Sequence, residues 1–222
     1  MRNILHHPKT ETLADYAAGR LEEARSVVIA SHLTLCDECR RAVADFEALG
    51  GLALESETPV AMNDGSMESF WARAGAQDVP APKPKARRAA NDFDLAAALP
   101  LRAYLKTDID SIKWRTVAPG VAQHVIDAEG YRDGVLRLLR ISPGTQVPKH
   151  THKAEELTLI LRGAYRDEIG EFRPGDLADL DGDAEHTPTA FGEEDCICLI
   201  ATNAPLVFKD LMGKMVQPFV GL

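Results

Sequence analysis

Apolar positions follow two different periods on either side of a proline-rich break. Up to about residue 75 they recur every three or four residues, the spacing of an α-helix with one buried face. Thr10 is a natural N-cap after Pro8, Leu13, Tyr16 and Ala17 follow at helical spacing, and Gly19 supplies a stop. A second helix begins near Leu21, where Leu21, Ala24, Val28 and His32 form one stripe that carries an imidazole onto the inward face. A third is expected from about Cys36 to Leu52, with Ala42, Val43, Phe46 and Leu49 as its apolar side. Thr34 would cap it, Asp37 would take the capping-box position, and Gly50-Gly51 would end or weaken it. Residues 55–65 are turn-rich, and Ser66 opens a short fourth helix with Met67, Phe70 and Trp71 along one side. That side is either packing surface or an amphipathic face that docks on a partner.

Past residue 92 the period changes. Val121–Ile126 alternates, and Val135–Ile141, Glu156–Leu161, Leu177–Leu180 and Cys196–Ala201 read as further short strands set off by Pro and Gly. Regular short strands of this kind predict an antiparallel barrel or jelly roll. The intervening Val79-Pro80-Ala81-Pro82-Lys83-Pro84-Lys85-Ala86-Arg87-Arg88 has no apolar period and reads as an extended, basic tether. The expected fold class is therefore α+β and multidomain: a small all-α helical domain at 1–78, a linker at 79–91 and an antiparallel β-barrel at 92–222.

Composition narrows the setting. At 222 residues with 45% hydrophobic content, two ordinary domains with real cores are expected. No apolar run reaches the roughly 18 residues of a membrane span, and the N-terminus lacks a signal-peptide core, so a cytoplasmic chain with no membrane partner is expected. There, four cysteines are thiols or metal ligands before they are disulfides. Of the net charge of −9, residues 1–78 carry −6, residues 79–91 carry +4 and residues 92–222 carry −7. Two acidic folded parts argue against direct nucleic-acid binding and suit a basic protein partner.

Two constellations carry metal chemistry. His32-x3-Cys36-x2-Cys39 places three ligand side chains within eight residues, with both sulfurs at a helix N-terminus, where the dipole favours thiolate. A fourth ligand would complete the tetrahedral set that zinc prefers, and the chain offers His6 and His7 side by side. Zinc here would be structural, since a short three-helix unit buries little surface. In the second half, Gly144 is followed at fixed spacing by His150, His152, Glu156 and Gly163. Strand alternation turns His150 and His152 to one face, Glu156 opens the next strand, and His186 can close the set for a divalent transition metal, with room for water or substrate. Glu155 is the runner-up ligand, but alternation points it away from Glu156. His124 stands alone in its strand, and Cys196 and Cys198 face one way as small core residues, with a redox role as the lesser reading.

The pattern Gly144, His150, His152, Glu156, Gly163 resembles the first cupin motif, and Gly175 and His186 fit the second in order, without its usual Asn. The N-terminal His-x3-Cys-x2-Cys, with a histidine upstream, resembles the zinc-binding anti-sigma domain. In tandem they are similar to the ChrR-type anti-sigma factors over nearly the whole chain, and the run from His32 to Arg40 is very similar to theirs. The resemblance implies a non-enzymatic regulator that binds an extracytoplasmic-function sigma factor and releases it on an oxidative signal, singlet oxygen or peroxide, sensed through the cupin domain. It implies Zn2+ at His7, His32, Cys36 and Cys39, and a second metal, zinc foremost, at His150, His152, Glu156 and His186, where a small molecule or oxidant can bind. The competing expectation is a metal-dependent cupin enzyme, a dioxygenase or isomerase, with a zinc-binding appendage.

Overall fold

The structure is a computed structural model that describes residues 4–75, 100–105, 107, 109–126, 135–148, 150–152, 155–182, 185–202 and 206–208; side chains at 150–152 and 206–208 are outside the description. The expected linker at 79–91 also lies outside it.

Four helices open the chain: α1 (Thr10–Ala17), α2 (Glu23–Leu33), α3 (Asp37–Ser56) and α4 (Ser66–Gly75). The stripes on the first three are as the spacing implies: Leu13, Ala24, Val28, His32 and Val43 are buried. The caps differ. Thr10 is the first helical residue of α1, and the N-cap position falls to Lys9. Thr34 does not cap α3; its hydroxyl donates to the Ser31 carbonyl at 2.8 Å and closes α2 instead. Cys36 takes the α3 N-cap, its sulfur accepting from the Cys39 N–H at 3.4 Å. Gly50-Gly51 does not end α3, which runs on to Ser56 with Leu49 exposed: a glycine pair costs only about 2 kcal/mol in a helix otherwise rich in good formers.

Among the described residues twelve strands follow: β1 (Arg115–Ala118), β2 (Val121–Ile126), β3 (Val135–Ile141), β4 (His150–His152), β5 (Glu156–Arg162), β6 (Ala164–Arg166), β7 (Glu171–Phe172), β8 (Leu177–Leu180), β9 (Glu185–His186), β10 (Thr189–Phe191), β11 (Cys196–Thr202) and β12 (Leu206–Phe208). All pairings are antiparallel. They form a six-stranded sheet in the order β1-β2-β3-β11-β5-β8 and two three-stranded sheets, β10-β6-β7 and β12-β4-β9, a cupin-like assembly rather than one closed ring. Gly163 makes the β5–β6 turn at φ +64°, where an added Cβ would lie 2.5 Å from the Asp195 carbonyl oxygen, so no larger residue fits.

The large sheet is buried on both faces, which explains why β5 and β11 read as continuous apolar runs rather than alternating ones. One face (Leu139, Ile141, Ile160, Cys198, Ile200) lines the barrel interior. The other (Leu136, Leu138, Leu157, Leu159, Leu199) shares a core with Ala24, Val27, Val28 and Ile29 of α2. Helix α2 packs across β3, β5 and β11. No helix among the described residues is long and apolar enough to cross a membrane.

Candidate metal centre

Four ligand-bearing side chains meet where α2, α3 and the segment before α1 converge. His32 ends the buried stripe of α2 and is fully buried. Cys36 and Cys39 occupy the N-cap and first turn of α3. His7 arrives from the extended strap ahead of α1, its Nδ1 3.4 Å from both Cys36 Sγ and Cys39 Sγ. His32 Nε2 lies 3.3 Å from Cys39 Sγ. One ligand atom from each of the four lies within 4.8 Å of the others, so the cluster could hold a metal ion. Tetrahedral zinc with bonds of about 2.3 Å to sulfur and about 2.0 Å to nitrogen separates its ligands by roughly 3.5 Å, close to the separations found.

Outer contacts aim these side chains. The His32 Nδ1–H donates to the Gly175 carbonyl at 3.0 Å, which turns the Nε2 lone pair toward the sulfurs. His7 Nε2 faces Glu38 Oε2 at 3.9 Å. His6 is engaged elsewhere: its ring stacks on Phe172 with centroids 4.1 Å apart, and its Nε2 bonds the Glu171 carbonyl at 3.1 Å. The expected preference for thiolate at the helix terminus does not hold by itself. Burial, reinforced by Cys36 and Glu38, pushes the Cys39 thiol up to about 12, and burial pushes the His32 imidazole down to about 4. Both groups are thus held neutral, and a bound cation is what would draw the charge onto sulfur.

The second constellation comes from three strands, β4, β5 and β9. In the backbone His150 pairs directly with His186 across β4 and β9. The side chains of His150 and His152 lie outside the described residues. Glu156 and His186 are buried and line one cavity of about 60 Å³ together with Arg137, Thr158 and Tyr165. Thr158 donates to Glu156 Oε1 at 2.9 Å. The His186 Nδ1–H bonds Asp167 Oδ2 at 3.0 Å, a carboxylate–histidine pairing that orients the ring. Burial pushes the Asp167 carboxyl up, yet the bonds from His186 and from the Ile169 and Gly170 N–H groups outweigh it and hold the carboxyl low. Glu155 points away, as alternation requires, and pairs with Arg25 of α2. Cys196 and Cys198 are buried free thiols.

Sequence reasoning passed over several contributors. Arg137 is a buried guanidinium in phase with inward-facing Leu139 and Ile141, and a charge on an apolar alternation was the available signal. Asp167 and the Gly175 carbonyl act across the fold and left no local sign. Asp176, just after Gly175, accepts the N–H groups of Leu5, His6 and Arg173 at 2.7, 3.1 and 2.8 Å, and so fastens the strap that carries His7.

The barrel region, residues 103–205, matches the model of the family described as the ChrR cupin-like domain. The anti-sigma-E factor ChrR of Cereibacter sphaeroides is 44% identical over 216 residues, 97% of this chain and 98% of the relative. The chain belongs to the ChrR family. A crystal structure of Rhodobacter sphaeroides SigE in complex with the anti-sigma ChrR superimposes with a TM-score of 0.76 at 40% identity, covering 90% of this chain and 99% of that one. An RmlC-like cupin protein from Ralstonia eutropha is 19% identical, covering 51% of this chain and 78% of the other, with a TM-score of 0.41. ChrR kinship thus spans both the helices and the barrel.

Proposed function

We propose that this chain is an anti-sigma factor. Its helices bind an extracytoplasmic-function sigma factor and withhold it from RNA polymerase, and its barrel governs release on an oxidative signal such as singlet oxygen or peroxide. One observation carries the reading: identity of 44% to an anti-sigma factor along nearly the whole chain. Such a partner places the chain in the cytoplasm, as a regulator rather than an enzyme.

Zn2+ would be held by His7, His32, Cys36 and Cys39, since two thiolates and two imidazoles favour zinc over hard cations. It would lock α1, α2 and α3 in one arrangement. The surface offered to the sigma factor is the exposed apolar run on α3 and α4, where Leu49, Leu52, Phe70 and Trp71 are 61, 62, 50 and 63% exposed. Aromatic and aliphatic side chains so placed suit a buried interface, and the −6 charge of residues 1–78 would steer a basic partner. In the barrel, His150, His152, Glu156 and His186 would hold a divalent transition metal, zinc foremost, whose chemistry is to polarise a bound oxygen ligand.

Co-expression with the sigma factor tests the reading. Wild type is expected to co-elute with it and to carry zinc, and Cys39→Ala to lose both together. Full binding by the zinc-free variant would remove the metal from the mechanism. A barrel enzyme, a dioxygenase or isomerase, is the competing reading, favoured by the cavity that Glu156 and His186 share. Turnover of a small oxygenated substrate by the full chain, with no sigma factor bound, would support it.

A further inference from the structure

A stack of three rings runs from the barrel cavity to His6, the residue before the cluster's His7. Tyr165 lines the cavity and is 2% exposed, and its hydroxyl has no hydrogen-bond partner among the described residues. A buried donor left this way in a cavity wall is what an acceptor oxygen on a bound molecule would satisfy. The Tyr165 ring stacks on Phe172, centroids 4.7 Å apart and planes 17° apart. Phe172 stacks in turn on His6 at 4.1 Å and 26°. His6 is bonded along its length: its N–H donates to Asp176 Oδ1 at 3.1 Å, its carbonyl accepts from the Leu177 N–H at 3.0 Å, and its Nε2 meets the Glu171 carbonyl at 3.1 Å. The next residue is His7, whose Nδ1 touches both sulfurs.

We propose that Tyr165 contacts the ligand of the barrel cavity and that His6 is a positioning residue, carrying the state of the cavity to His7. The inference rests on the proposed release function and supplies its route. The ligand class follows from the walls. A cavity of about 60 Å³ with apolar sides, whose polar groups are Tyr165, Arg137, Glu156, Thr158 and His186, takes a small molecule with a short apolar part and an acceptor oxygen for the Tyr165 hydroxyl. Close packing makes the relay work. A ring held face to face cannot shift without its neighbour giving way, and His6 cannot tilt without moving the adjoining His7 main chain.

The test uses the full chain with its sigma factor in cells carrying a sigma-dependent reporter, induced with tert-butyl hydroperoxide or with light and a photosensitiser. His6→Ala and His6→Phe should both repress in uninduced cells. His6→Ala should cut induction about tenfold, and His6→Phe, which keeps an aromatic face against Phe172, should restore it. Tyr165→Phe, which keeps the stack and removes the hydroxyl, should also fail to induce. His186→Ala separates the two levels of the argument. If it induces as well as wild type, sensing through the barrel is wrong and the relay falls with it. If it fails to induce while His6→Ala and Tyr165→Phe induce normally, the relay alone is overturned. Should His6→Ala lose repression through misfolding, normal induction by Tyr165→Phe would still overturn the assignment.

Discussion

Cys39 sits between two opposed influences. The start of α3 offers it backbone N–H groups and the positive end of a helix dipole, while its burial removes the water that a thiolate needs. Burial wins, and the thiol is pushed up to about 12. A metal entering the cluster must therefore displace protons from sulfur. Zinc uptake by the zinc-free chain near neutral pH is expected to release the Cys39 proton. Calorimetry in buffers of differing ionisation enthalpy would detect it, and uptake without release would show that Cys39 was already a thiolate. The trio His32, Cys36 and Cys39 was legible in the sequence because its geometry is local, set by one helix end and one helix start. The choice between His6 and His7 was not readable from spacing, because it depends on Phe172 and Asp176, more than 150 residues away.

Among the elements, the strap at residues 4–9 and the start of α1 are fastened to the barrel by hydrogen bonds. No side chain of its own caps α1. Asp179 of β8 does so from outside, accepting from the Lys9 N–H at 2.9 Å and the Thr12 hydroxyl at 2.6 Å. Asp176 binds three N–H groups in the same way. Replacing Asp176 by Ala strands those donors and should cost about 2–4 kcal/mol in thermal or denaturant unfolding. It should also weaken zinc retention against a chelator, because His7 rides on the strap; unchanged retention would show that the strap does not set the ligand geometry. The opposite behaviour belongs to α4. A Phe70→Glu, Trp71→Glu double variant removes exposed apolar surface only, so its stability should stay within about 1 kcal/mol of wild type. Co-elution with the sigma factor should nonetheless fall by about tenfold or more, since aromatic anchors dominate interfaces. Equal binding would move the contact surface elsewhere. Strands β2, β3, β5, β8 and β11 were legible from apolar runs, but the reason β5 and β11 lack alternation was not: their outward faces are covered by α2, a contact that no local pattern records.

At the scale of the molecule, helices and barrel share one core. Ala24, Val28 and Ile29 are fully buried, and they face Leu138, Leu157 and Leu199 rather than water. Arg25 pairs with Glu155, Tyr104 donates to Glu23 at 2.6 Å, and Gly175 bonds His32. A helical part tethered only through residues 79–91 would respond to the barrel weakly, because a flexible link transmits little beyond raised local concentration. A helical part seated on the barrel can be biased by any change in the sheet beneath it. The two pictures separate experimentally. With a protease site inserted within residues 79–91, cleavage of the full chain should leave both fragments co-eluting on gel filtration, and Val28→Asp, which buries a charge in the seat, should part them. Fragments that separate on cleavage while each keeps its circular dichroism would mean that the shared core does not hold in solution, and the barrel would then have to act on the helices through the tether alone.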